Sequence, residues 1–216
     1  ERRAVTELGL NGFGRQFGIG LLVGAGLYAA CEGVLMALGI YRIDGLNPLS
    51  FLIPAVAMAI SSSVFEELLF RGVLYRSVET WFGSWAALGV SSLVFGLSHL
   101  ANPQATLEGA LFIAVEAGIL LGAAVMLTRQ LWLGIGFHMA WNYTQSAIFS
   151  GIVSGNDAEA GWIRSTVKGP DYLTGGQFGV ESSVLALVLC TATGIVMLVM
   201  AHRRGLVVPP AWKRVA

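Results

Sequence analysis

Few side chains in this 216-residue sequence can do chemistry, and most of those few stand inside oily runs. Glu66 and Glu67 sit in SSSVFEELLFRGVLYR (61–76), after a long run without a single charge. Glu32, Arg71, His99, Glu116, His138 and Asn142 likewise fall within apolar stretches. A charge in hydrocarbon is costly and ordinarily faces a cavity or a partner. Three pairs recur at a separation of four: Glu67 with Arg71, Phe95 with His99, and His138 with Asn142. That spacing puts both members of a pair on one helix face, and glutamate before arginine is the favourable order for an ion pair.

A glutamate, two histidines and an asparagine that converge in a dry site suit hydrolysis. Glu66 can take a proton from water as general base. Two versions of that chemistry stand side by side. In one, Glu66, His99 and His138 hold Zn²⁺ or another divalent metal, which lowers the pKa of a bound water. In the other, Glu66 and His99 activate the water together, while His138 and Asn142 donate hydrogen bonds to the oxyanion. Each residue also has a plainer reading. Glu67 and Arg71 can simply neutralise one another, and an intramembrane histidine often bonds a neighbouring helix. Glu32 and Glu116 read as structural hydrogen-bond partners. Ser61 to Ser63 read as serines bonded to their own helix backbone.

The elements that must position these groups follow from composition. Hydrophobic residues make up 55% of the chain and charged residues 12%, against about 25% charged in soluble domains; mean hydropathy is +0.70. The expected fold is all-α, a polytopic transmembrane helical bundle of about six crossing helices in one domain, 1–216. A crossing needs about 20 apolar residues, and six runs qualify: 16–40, 48–80, 84–101, 107–128, 131–150 and 183–201. The second is too long for one crossing, so its charged end projects from the slab. Gly20 with Gly24, and Gly118 with Gly122, have the small-xxx-small spacing of close helix packing. Cys31 and Cys190 lie in apolar runs and read as embedded residues, not a disulfide. Net charge is zero, so no nucleic-acid partner is expected. The chain opens on Glu1, so its natural start is expected upstream, and no cleavable signal peptide stands out.

Ten basic residues (Arg2, Arg3, Arg15, Arg71, Arg76, Arg129, Arg203, Arg204, Lys213, Arg214) fall on one side of this topology, and three (Arg42, Arg164, Lys168) on the other. The asymmetry puts both termini in the cytoplasm of a cell (inner) membrane protein and makes 151–182 an external loop. The second and third helices should run antiparallel about a connection at 81–84. Glu66 and His99 are equidistant from its centre and should share one depth. With His138 and Asn142 counted from the Arg129 end, the site is expected in the cytoplasmic half.

EELLFR (66–71), FGLSH (95–99) and HMAWN (138–142) stand in the order EExxxR, FxxxH, HxxxN. In this the sequence resembles the CPBP family of intramembrane proteases, which includes type II CAAX prenyl endopeptidases and bacteriocin-processing or immunity proteins. The resemblance covers about 60–150. It implies a membrane endopeptidase acting on peptides or prenylated peptides near the cytoplasmic face. By the match, Glu66 is the water-activating or metal-linked acid and His99 its partner; His138 and Asn142 complete the site, and Glu67 and Arg71 fill the first block. Outside the family, embedded acids also suit an ion- or proton-coupled transporter, but no inverted repeat is visible. A catalytically idle immunity or scaffold protein is the third reading.

Overall fold

The computed structural model describes residues 10, 13–157 and 159–214. Helix α1 (Arg15–Ala37) leads into strand β1 (Tyr41–Leu46). Helix α2 (Pro54–Glu66) continues through a π-helical stretch, Glu67–Tyr75, into α3 (Arg76–Ser98). Helices α4 (Leu107–Ile113) and α5 (Ile119–Thr128) are joined by a second π-helical stretch, Ala114–Gly118. Helix α6 (Trp132–Tyr143) ends in a third, Thr144–Ile148. Strand β2 (Ile163–Val167), the short α7 (Asp171–Thr174) and the long α8 (Val184–Arg203) complete the order.

Among the described residues, four helical stretches are long and apolar enough to cross a membrane: Arg15–Ala37, Leu49–Ala101, Leu107–Thr128 and Val184–Arg203. Large apolar side chains such as Leu22, Phe65 and Val188 face outward from them, as lipid contact requires. Leu49–Ala101 makes two arms, because the chain reverses at Gly83. Its φ of 81° and ψ of 172° break the helix, a conformation open to glycine without steric cost. Phe70 and Phe95 then pack edge to face at 5.2 Å, although 25 residues of straight helix would separate them by about 37 Å. The pair is symmetric about the centre expected for this hairpin. The expected fifth crossing is shorter than the others: the 12 residues of α6 and the 5 of its π-helical continuation end before Phe149.

Close approach of helices fits the small-residue spacing. A methyl group on Gly20 would fall 2.7 Å from the Phe137 backbone nitrogen on α6, and one on Gly118 would fall 2.7 Å from Ser92 Cβ on α3. Cys31 and Cys190 are free and buried. The 151–182 segment is more ordered than a plain loop. Its β2 pairs antiparallel with β1, Tyr41 opposite Val167, with an irregularity between Ile43 and Gly45. The bundle is helical as expected, and this two-stranded ribbon is a small addition to it; the alternation in IRSTV is too short to declare itself against an apolar chain.

The two ends of the bundle differ sharply in charge. Arg15, Arg76, Arg129, Arg203, Arg204, Lys213 and Arg214 gather at the end holding the Gly83 turn. There Arg76 Nη2 donates to the Arg129 carbonyl at 3.1 Å, and the Ser84 amide donates to the Val208 carbonyl at 2.9 Å. Arg42, Arg164 and Lys168 belong to the ribbon end, with Asp44, Glu108, Asp157, Glu159 and Asp171. One member of the expected basic group must be withdrawn: Arg71 has no exposed side-chain surface and lies inside the bundle. Arg2 and Arg3 lie outside the described residues.

Candidate active site

The π-helical stretch carries the first motif, a wide-turn geometry frequent at functional sites. It turns the two neighbouring glutamates to different fates. Glu67 is fully buried and accepts from Arg71 Nη1 at 2.9 Å. Arg71 stacks its guanidinium 4.1 Å above the Phe95 ring and reaches the Gly118 carbonyl at 3.4 Å. The Glu66 side chain is 27% exposed, and it lines a cavity of about 370 Å³.

His99, His138 and Asn142 line that same cavity. His99 closes the C-terminal turn of α3, and its Nδ1 lies 2.8 Å from the Phe95 carbonyl. A donor Nδ1–H there leaves Nε2 free to act. His138 stands between the glutamates, with Nε2 3.8 Å from Glu66 Oε2 and Nδ1 3.5 Å from Glu67 Oε1. Asn142 Nδ2 donates to Ser62 Oγ at 3.2 Å, tying α6 to α2. Ser61 and Ser63 bond their own helix backbone, at Met58 O and Ala59 O. Three buried polar atoms at the heart of the cluster, Glu66 Oε2, Glu67 Oε2 and His138 Nδ1, have no hydrogen-bond partner among the described residues.

Two parts of the site were not read from the sequence as site residues. Phe95 is its hub, packing on Phe70, His99 at 4.9 Å, His138 at 6.1 Å and Arg71. Glu181, from the 151–182 segment, closes the back wall. It accepts from the Ser154 amide at 2.6 Å, Ser154 Oγ at 2.8 Å and Trp141 Nε1 at 3.2 Å. Burial pushes its carboxyl above the usual carboxylate range, against the pull of the Ser154 donors. Glu116 is buried too, and with Glu181, His99 and His138 it borders a void of about 20 Å³, room for about one water. Glu32 accepts from Tyr28 at 2.9 Å and does not line the site.

Among the described residues, no group of three or more His, Cys, Asp and Glu side chains is placed to hold a metal ion. Glu66, His99 and His138 share the cavity without forming such a set. The cavity's wall at one end is made by Asn102, Val153, Ser154 and Asn156.

No curated protein and no solved structure matches the chain. Residues 48–144 match the family model described as type II CAAX prenyl endopeptidase Rce1-like. That stretch contains the first three helical blocks of the cavity, with EELLFR, FGLSH and HMAWN in order. Over residues 48–144 the chain is thus similar to the Rce1-like type II CAAX prenyl endopeptidases, and it is built as a membrane helical bundle.

Proposed function

We propose that this protein is an intramembrane endopeptidase in which Glu66 activates a water for attack on a peptide bond. The observation that carries the reading is the division of labour between the adjacent glutamates. Glu67 is committed to Arg71, whereas Glu66 makes no bond to Arg71 and faces the cavity with an oxygen that has no partner among the described residues. A base must be free to gain a proton, and an ion-paired, fully buried carboxylate is not.

Glu66 takes a proton from the water while His99 accepts its second hydrogen bond. The resulting hydroxide attacks the carbonyl carbon. Asn142 has one N–H committed to Ser62, and its other N–H, with His138 Nε2, is placed to stabilise the oxyanion. Preorganised donors of this kind are worth about 10²–10³ each in kcat. The proton on Glu66 then passes to the leaving amine as the C–N bond breaks. Glu67 acts by position: held by Arg71, its carboxylate lies 3.5 Å from His138 Nδ1, within ion-pair distance of a protonated ring. Since the residues present do not form a metal-holding set, no step runs through a metal.

The test is a cleavage assay on purified protein with peptide and prenylated-peptide substrates, with and without a chelator. Hydrolysis indifferent to chelator is expected. Activity abolished by chelator and restored by Zn²⁺ overturns the metal-free mechanism. Transport of ions without peptide hydrolysis would favour the transporter reading instead.

A further inference from the structure

We infer that the crease between the Gly83 turn and the C-terminal segment binds the head group of an anionic phospholipid. This surface is separate from the cavity that Glu66 lines, and the two share no lining residue. The crease is held together by specific contacts. The Ser84 amide donates to the Val208 carbonyl, and the Val208 amide donates back to Ser84 Oγ, each at 2.9 Å. A methyl group on Gly83 would fall 2.8 Å from the Val208 carbonyl oxygen, so turn and tail meet backbone to backbone. Arg214 fastens the tail further, with Nε donating to the Pro209 carbonyl at 2.7 Å and Nη2 to the Glu79 carbonyl at 2.9 Å. Between turn and tail lies a cavity of about 270 Å³, whose lining includes Phe82, Trp85, Val207, Pro209, Pro210 and Lys213.

Two features identify the occupant. The first is unmatched charge. Arg203 and Arg204 at the end of α8, and Lys213 in the cavity lining, are exposed. None of the three pairs with an acid among the described residues. Arg214 bonds backbone carbonyls, and Glu79 beside it is taken by Arg129. A ligand here must bring negative charge. The second feature is aromatic. Trp81, Phe82, Trp85 and Trp212 are each more than half exposed, and Phe82 meets Trp212 edge to face at 6.1 Å. Exposed tryptophans beside crossing helices sit at head-group depth, and Trp81 and Trp85 flank the turn between the two arms of Leu49–Ala101. A small soluble anion would meet the charges but leave these rings in water. A phospholipid offers its phosphate to Lys213 and its glycerol and upper acyl region to Phe82 and Trp85. Each basic residue near such a surface favours anionic lipid by roughly five-fold in affinity.

The test uses the purified full chain in nanodiscs of phosphatidylcholine carrying a minor share of phosphatidylglycerol. Lipid retained on the protein is read by native mass spectrometry, and melting temperature is followed as phosphatidylglycerol is added. The parent protein is expected to retain phosphatidylglycerol in preference to phosphatidylcholine and to melt higher in its presence. The triple variant Arg203→Gln, Arg204→Gln, Lys213→Gln should lose both effects, with the preference falling up to roughly a hundred-fold. Arg214 is left in place because it holds the tail. If the triple variant does not fold, Lys213→Gln alone should lower the preference roughly five-fold. The triple Arg42→Gln, Arg164→Gln, Lys168→Gln removes the same charge at the ribbon end and should leave the preference unchanged. Equal losses in the two triples would show a response to net charge and overturn the site. A parent protein without preference overturns it too. Inorganic phosphate that raises the melting temperature in pure phosphatidylcholine as far as phosphatidylglycerol does would overturn the lipid assignment in favour of a free anion.

Discussion

Two clusters in this bundle combine glutamate with a cationic or basic side chain, and they are built to opposite standards. Near the Gly83 turn, Glu79 is saturated. Its Oε1 accepts from Ser84 Oγ at 2.6 Å and Arg129 Nη1 at 2.8 Å, and its Oε2 accepts from Arg129 Nη2 at 2.5 Å. Around His138, by contrast, Glu66 Oε2, Glu67 Oε2 and His138 Nδ1 go without hydrogen-bond partners among the described residues. Buried polar groups are nearly always satisfied, so a concentrated shortfall calls for a cause. The Glu79 cluster fastens α3 to the C-terminal end of α5 and to the C-terminal residues, where Arg214 Nη2 donates to the Glu79 carbonyl at 2.9 Å. On the proposed function, the Glu66 cluster holds that capacity in reserve for water and a substrate. Acid type fails to separate the two; the hydrogen-bond tally does.

The contrast can be broken first at Glu67, which belongs to both kinds. Glu67→Gln leaves the Arg71 guanidinium buried without its ion, a change that costs about 3–5 kcal/mol when one partner of a buried pair is removed. A large fall in thermal stability is expected, together with lost activity as His138 loses the carboxylate beside its Nδ1. Wild-type melting behaviour would show that the pair is ornamental. Asn142→Ala should do the reverse, lowering kcat about a hundred-fold with the melting temperature little changed; an unchanged kcat removes Asn142 from the oxyanion site. Glu79→Gln is expected to cost about 1–3 kcal/mol, the range for leaving buried donors unsatisfied. Because the Arg129 side chain is 37% exposed, water should hold the loss toward the lower end. Activity per folded molecule should not move, and a fall in kcat would erase the distinction between the clusters.

Glu181 supplies the smallest effect, and a sign. Its carboxyl lies above the usual carboxylate range through burial, so the native state holds that proton more tightly than the unfolded chain. The stability it contributes is present below the ordinary value of 4.5 and is lost as pH rises through the raised native one. Relative to Glu181→Gln, the wild-type melting temperature should therefore fall as pH rises above that range. Parallel curves for the two proteins would show that Glu181 does not titrate in this way.

Much of this was legible in the sequence because it was local or symmetric. The i,i+4 pairs fixed which residues share a face. Equal distances from the 81–84 connection placed Glu66 and His99 on one cavity, and Phe70 with Phe95 shows the same symmetry. What was not legible depends on contacts between distant parts of the chain. Glu181 is 40 residues from Trp141 and sits in a segment where acids are ordinary. Arg71 looked like an interfacial cation until Phe95 and Gly118 closed over it. The part of the cavity wall supplied by Val153, Ser154 and Asn156 comes from outside the motif helices, so the motif spacing carried no sign of it.

Glu66→Gln tests the central claim most directly, measured as kcat on the purified protein beside its melting temperature. Glutamine keeps the size and a carbonyl oxygen but does not accept a proton as a carboxylate does. The account predicts kcat reduced about a hundred-fold or more, the contribution of a general base, with the fold intact because Glu66 makes no ion pair with Arg71 that the change would break. Near-normal cleavage by Glu66→Gln would contradict it and return both glutamates to a structural role.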